Sequence, residues 1–202
     1  IMTTPDVITA EEISSRLHTN WMAENCIYLE SVDSTNNYAK RIAEDGTPSG
    51  TLVVADEQTG GKGRRGRAWC TPKGSAIAMT IVLRPDIRPE LASMVTLVMG
   101  LSVAKAIGSL YPVSVGIKWP NDVVVNGKKI CGILTEMSAE MTGIHYLVIG
   151  TGINTNVEEF PEEIQSVATS LIKELGEKVN RAELIAACLK YFEEYYEKYI
   201  AA

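Results

Sequence analysis

Residues 118–134 read Lys-Trp-Pro-Asn-Asp-Val-Val-Val-Asn-Gly-Lys-Lys-Ile-Cys-Gly-Ile-Leu, and the architecture of the chain turns on how they pair. Asn126-Gly127 separates a VVV run from an ICGIL run. Both turn residues tolerate the positive φ that a two-residue hairpin loop demands, so the stretch predicts two antiparallel strands. A two-residue turn sets Val125 opposite Lys128, Val124 opposite Lys129 and Asp122 opposite Cys131. Asp122 and Lys129 then share a face as diagonal neighbours roughly 7 to 8 Å apart, able to flank one reacting group without neutralising each other. Lys129 would share that face with Cys131 and Ile133 and point to the covered side. The blander reading is an edge lysine, or one whose stem snorkels past the core.

Either side of this hairpin the signals alternate. Cys26–Val32 predicts a strand, and Ser34 or Asp33 caps a helix that runs through Ala39, Ile42 and Ala43 and stops at Gly46. Thr51–Gln58 predicts a second strand. A Gly-rich loop over 59–74 leads to a third, SAIAMTIVLR over 75–84, and a long buried helix starts at Pro89 and runs to about Leu110. HYLVIGTGINTN, over 145–156, predicts a further strand, followed by two helices, the last rich in Tyr. Thr9 and Glu12 have the spacing of a capping box. The sum is an α+β chain, a mixed sheet with helices set among hairpins.

The chain has 202 residues, 46% hydrophobic, with 25 acids against 19 bases and a net charge of −6. At this size roughly 70% of the unfolded chain's surface can be buried, so one domain forms a core without metal or disulfide. The acidic balance argues against bulk binding to DNA or an anionic membrane, which needs many bases. The uncharged run Leu91–Ala104 falls short of the ~20 residues a bilayer demands, so no membrane span is expected. Residues 1–13 carry Asp6, Glu11 and Glu12 with no basic region before an apolar run. No signal peptide is expected, and the expected location is cytoplasmic. Cys26, Cys70, Cys131 and Cys188 are too far apart for a metal knuckle or a redox pair and should be reduced thiols.

Against this acidic background, Gly61-Lys62-Gly63-Arg64-Arg65-Gly66-Arg67 concentrates four positive charges. The spacing satisfies G-x-G-x-x-G, but the following residues read as turn then strand, without the helix whose N-terminus would hold a pyrophosphate. A Walker loop fails as well, since Lys62 is not followed by Ser or Thr and position 56 is Asp. What remains is a flexible basic loop suited to folding over a phosphate-bearing ligand, with a solvated surface loop as the alternative. Ser34, Thr35, Asn36 and Gln58 supply donors and acceptors for a small amide- or urea-like ligand, although Ser34 alone reads most simply as an N-cap.

From about Tyr28 to Asn156 the chain resembles the catalytic domain of biotin protein ligases. The resemblance rests on SVDSTNNYAK, ADEQTGGKGRRGRAW, KWPNDVVVNGKKICGIL and VIGTGINTN, in that order. It implies a mixed, largely antiparallel sheet flanked by helices, akin to lipoate ligases and class II synthetases. It also implies the chemistry: the carboxylate of biotin attacks the α-phosphate of ATP, with Mg²⁺, to give biotinyl-5′-AMP. A lysine of a biotin carboxyl carrier domain, from acetyl-CoA carboxylase or another biotin-dependent carboxylase, then takes the biotinyl group.

By motif, Ser34, Thr35, Asn36 and Gln58 would surround the ureido ring, with backbone from Lys62 and Gly63. Arg64 would reach carboxylate and phosphate, Arg67 the pyrophosphate, and Lys129 the carboxylate and α-phosphate. Trp69 would stack on adenine and Asn154 contact it. Asp122 is implicated through Mg²⁺ or the incoming lysine. The N-terminus leaves room for one capped helix and not for a DNA-binding winged helix, so transcriptional repression is not expected. The chain stops where such proteins continue into a small β-barrel, so a catalytic domain over 1–202 without that barrel is expected. Whether it forms a homodimer is left open. A lipoate or octanoate ligase of the same fold, and a module that binds biotin or its adenylate without transferring it, are the alternatives.

Overall fold

A computed structural model describes residues 6–141 and 143–202. Seven strands form one sheet: β1 (Cys26–Val32), β2 (Leu52–Gln58), β3 (Ile77–Leu83), β4 (Val115–Lys118), β5 (Asp122–Val125), β6 (Lys128–Glu140) and β7 (Gly143–Ile153). Their spatial order is β1-β2-β3-β7-β6-β5-β4. Only β1 and β2 run parallel; every other neighbouring pair is antiparallel. A parallel pair needs a crossover, and helix α2 (Thr35–Glu44) supplies it. The mixed, largely antiparallel sheet expected from the sequence is present; β4 lay outside the sequence-based expectation.

The two faces are covered unequally. Alternation along a strand sends Ile77, Met79, Ile81 and Leu83 to one face, where they join a core with α3 (Ala92–Leu110) and α5 (Arg181–Ile200). The opposite face carries Val53, Val82 and Val148 against Ala39 and Ala43 of α2. Covered on both sides, β3 is buried at every residue, which is why it reads as a continuous apolar run. The helical stretch Pro89–Leu110 is 22 residues long and reaches a mean hydropathy of 1.7 over 18 of them, enough by composition to cross a bilayer. Here Val95, Met99, Val103, Ala106 and Ile107 are fully buried in the core. α2 covers only part of its face. The rest, over β6 and β7, is left to the 59–74 loop.

At the ends, Thr9 caps α1 (Ala10–Ser14) by accepting from the Glu12 amide at 3.3 Å. The expected capping box is half formed, because the Glu12 carboxylate turns to Arg16 instead. The four cysteines are free thiols, and burial pushes Cys26 up to about 11. α4 (Leu171–Leu175) ends at Gly176, whose φ of 79° a side chain would strain.

Glu193 of α5 docks the N-terminal segment. Its carboxylate accepts from the amides of Asn20, Trp21 and Met22 at 2.7, 3.0 and 2.8 Å and from Asn20 Nδ2 at 3.1 Å. Burial raises its pKa, but these hydrogen bonds outweigh that and hold it below the ordinary 4.5. A carboxylate lowered in the folded state contributes stability above its unfolded pKa, and loses it as pH falls through the folded value. Glu193→Gln should therefore cost about 2 kcal/mol at pH 7, the scale of a hydrogen bond to a charged group. Urea melts of both proteins should show the gap closing as the pH is taken below 4.5. A gap independent of pH would mean that the charge contributes nothing.

Candidate active site

The uncovered part of the α2 face has a floor of glycines. Gly132 pairs with Gly152, and Gly150 with Leu134, across β6 and β7. A methyl group on Gly152 would overlap the Trp69 indole, and one on Gly150 would overlap the Asn36 amide. On Gly132 it would come within 3.0 Å of both Trp69 and the Lys129 Cε and Nζ. Bare backbone here lets large polar and aromatic groups lie flat on the sheet.

One wall is the N-terminus of α2. Ser34 caps it, accepting from the Asn37 amide at 3.5 Å, and the simplest reading of Ser34 holds. The amide and hydroxyl of Thr35 both donate to Gln58 Oε1, at 2.9 and 3.0 Å, and Gln58 Nε2 donates to Thr71 Oγ1 at 3.1 Å. Asn36 Nδ2 donates to Leu134 O at 3.2 Å and Glu136 Oε2 at 2.8 Å, while the Thr80 hydroxyl lies 2.7 Å from Asn36 Oδ1. Ser34, Thr35 and Asn36 are all buried. A wall of amides and hydroxyls without net charge suits a neutral ligand rich in both donors and acceptors.

The basic loop forms the second wall. It returns on itself through Gly63 N to Arg67 O at 2.7 Å and Trp69 N to Gly61 O at 2.9 Å. At its tip Arg65 and Gly66 take φ of 59° and 73°. Arg64 donates to Asn121 Oδ1 at 2.9 Å, closing the loop against the turn before β5, and Lys62 donates to Asn37 at 3.2 Å. Trp69 lies 5.5 Å below Lys129 Nζ, and its Nε1 is buried without a partner.

The far wall corrects the hairpin register. Val125 faces Lys128 and Val124 faces Lys129 as expected, but a bulge follows, so that Val123 faces Cys131 and Asp122 faces Gly132. The extra residue turns Lys129 onto the glycine side instead of the side of Cys131 and Ile133, which are buried in the core. Asp122 and Lys129 do not stand unpaired as expected: Lys129 Nζ lies 2.7 Å from Asp122 Oδ1, an ion pair with side chains 34% and 23% exposed. The Lys129 backbone bonds instead to Val167 O and Thr169 N, at 2.8 and 2.9 Å.

These walls enclose a narrow inner cleft of about 40 Å³, lined by Ser34, Thr35, Asn36, Gln58, Lys62 and Gly63 on one side and by Trp69, Lys129 and the glycines on the other. Beyond Arg64 and Lys129 it meets an outer cavity of about 560 Å³, where Arg67, Trp69, Asp122 and Asn154 stand opposite Phe160 and Ile164. All twelve residues singled out from the sequence line one or both spaces. Asn154 differs in detail, since its Nδ2 donates to Thr169 O at 3.1 Å, which commits one of its two amide protons and leaves the other and the oxygen for a ligand. The floor glycines, Asn121, Glu136 and the 160–168 segment were not singled out. Glycine inside a strand pattern was the one available signal for the floor.

For a metal the donor set is poor. Among the described residues no group of three or more His, Cys, Asp or Glu could hold an ion. Asp122 is the one carboxylate among the twelve, and Lys129 already faces it.

Residues 28–154 match the family model described as the biotin/lipoate A/B protein ligase family. The bifunctional ligase/repressor BirA of Bacillus subtilis is 40% identical over 198 residues, 97% of this chain and 61% of that protein. The biotin--[acetyl-CoA-carboxylase] ligase of Paracoccus denitrificans is 41% identical over 128 residues, 62% of this chain and 52% of that protein. The chain thus spans about three-fifths or less of these curated relatives. Biotin protein ligase from Aquifex aeolicus, in complex with biotin and ATP, superposes with a TM-score of 0.77 at 37% identity, covering 88% of this chain and 72% of that one. With the matched span taking in three of the motifs whole and the fourth as far as Asn154, and the same fold in a solved relative, this chain belongs to the biotin/lipoate A/B protein ligase family.

Proposed function

We propose that the chain joins biotin to ATP as biotinyl-5′-AMP and passes the biotinyl group to a lysine of a biotin carboxyl carrier domain. The observation that carries this reading is the junction of the two cavities. There a cleft with one wall of uncharged amides and hydroxyls opens into a larger space between Arg64 and Lys129, where a carboxylate and a phosphate would meet. The likeness to the Aquifex protein holding biotin and ATP supports it.

Bringing two anions together requires positive groups that offset their repulsion and stabilise charge developing at phosphorus. Arg64 and Lys129 take that role, and Arg67 meets the departing pyrophosphate. A carboxylate oxygen of biotin attacks the α-phosphorus, and the bond to pyrophosphate breaks. In the second step the amine of the acceptor lysine attacks the acyl carbon, AMP leaves, and the amine loses its extra proton. Asp122 places a negative charge where that lysine arrives. Trp69 offers a face to adenine, beside the Asn154 carbonyl. Mg²⁺, if it enters, comes with the nucleotide. The mixed anhydride hydrolyses in water, so the loop over Trp69 both retains it and excludes solvent. The net charge of −6 supports a protein acceptor over a nucleic acid.

The polar inner wall favours biotin over lipoate or octanoate, because a dithiolane or alkyl chain would leave unmet the donor and acceptor capacity that its amides and hydroxyls keep beyond their bonds to one another. Pyrophosphate release should appear with ATP and biotin, not with lipoate or without acid, and a carrier domain should gain one biotinyl mass. Release with lipoate alone would transfer the chain to the other branch of the family. Tight biotin binding without release would make it a binding module.

A further inference from the structure

Asn36 has two amide protons and one carbonyl oxygen with two lone pairs. Both protons are committed inside the protein, one to Leu134 O and one to the Glu136 carboxylate. Its oxygen has one partner, the Thr80 hydroxyl. The orientation of an amide is otherwise easily reversed, but here it is fixed from outside: a carboxylate can only accept, so the NH₂ end must face Glu136. Lys40 donates to the other carboxylate oxygen, Oε1, at 2.8 Å. Burial raises the pKa of Glu136, but the hydrogen bonds from Lys40 and Asn36 outweigh that and keep it ionised. Glu136 faces Val148 across the sheet, one pair beyond Thr135 and Ile149 and clear of the glycine floor. It does not line the inner cleft.

We infer that Glu136, held by Lys40, is a positioning residue that makes Asn36 an acceptor toward the ligand, so that this point of the cleft selects an N–H. The inference rests on the proposed biotin reading, in which a ureido N–H is the group selected. Thr80 supports the same polarity. Its hydroxyl lies 2.7 Å from Asn36 Oδ1 and 2.9 Å from Thr35 Oγ1, and by donating its single proton to the nearer oxygen it leaves one lone pair on Asn36.

Glu136→Met keeps the length of the side chain and removes both acceptors, which frees one Asn36 proton and lets the amide turn. Binding is read by calorimetry with three probes: biotin, ATP, and whichever mono-N-methyl biotin the unmodified protein discriminates against more strongly. In the variant, biotin should weaken about tenfold, the loss of one hydrogen bond of ~1.4 kcal/mol. ATP should change less than twofold. The methylated analogue, already lacking the N–H, should also change less than twofold. Glu136→Gln retains one carbonyl for Asn36 and should restore most of the biotin affinity. Equal weakening of biotin and its methylated analogue, or no weakening of either, would overturn the positioning role. Failure of the unmodified protein to bind biotin at all would overturn the biotin reading and this inference with it.

Discussion

Lys129→Ala should lower the rate of biotin-dependent pyrophosphate release by 10² to 10³, the ~3 to 4 kcal/mol typical of losing one preorganised electrostatic contact to a transition state. The fold should be nearly unaffected. The pair is partly exposed, Lys129 34% and Asp122 23%, and trimming the lysine opens the Asp122 carboxylate to solvent through the cavity beside it, so the cost should stay near the ~1 kcal/mol of a partly exposed pair. Lys129→Arg should not rescue the rate. The ammonium is held as a point charge beside Asp122 and over Trp69, and a planar guanidinium on a longer stem would place its charge elsewhere in the cavity. Near-normal release from Lys129→Ala, with a folded protein, would remove Lys129 from the reaction.

The hairpin carrying this lysine shows how far the sequence could be read. Asn126-Gly127 announced its turn because few residue pairs accept positive φ at two successive positions, and the first two cross-strand pairs follow from it. The bulge after Val124 left no mark, since VVV and ICGIL are equally apolar in either register. That one residue decides whether Lys129 meets Cys131 or Gly132, and whether Asp122 touches it. The strands and long helices were legible for the same reason as the turn: period and punctuation report local geometry. The glycine floor was not, because Gly132, Gly150 and Gly152 acquire meaning only when Trp69 and Asn36 are brought over them. Motif resemblance found the walls of the site, and it was silent on Glu136 and Thr80, which act through Asn36 instead of facing the cleft.

Arg181, at the start of α5, was equally invisible and should have the larger effect on stability. Its guanidinium is 2% exposed and bonds Asp6 Oδ2 at 2.6 Å, Asp56 Oδ1 at 2.8 Å and Ala76 O at 3.1 Å. Arg181→Met would leave two carboxylates without their counter-charge, one of them, Asp56, buried. Removing one partner of a buried ion pair costs ~3 to 5 kcal/mol, which for a chain of 202 residues lowers Tm by on the order of 10 °C. Differential scanning calorimetry measures it. Arg181→Met combined with Asp56→Leu should recover part of the loss, since no charge is then stranded beside β2. A fall of under ~2 °C for the single variant would place this pair on the scale of a surface contact.

The strand order has a consequence for how and when the protein becomes able to bind anything. The cleft straddles the seam where β3 meets β7: Ser34, Thr35 and Asn36 at the start of α2 and Gln58 at the end of β2 belong to one side of it, and Lys129 and the glycines of β6 and β7 to the other. On a ribosome the first half emerges with an incomplete site, and no ligand can be gripped until residues near Ile153, the last to pair with β3, have left the tunnel. Pairings so distant along the chain form slowly. Once the seam closes, an occupant touching both halves acts as a clip across it and shifts the balance toward the closed form by mass action. A larger share of newly made chains would then stay closed where the ligand is plentiful.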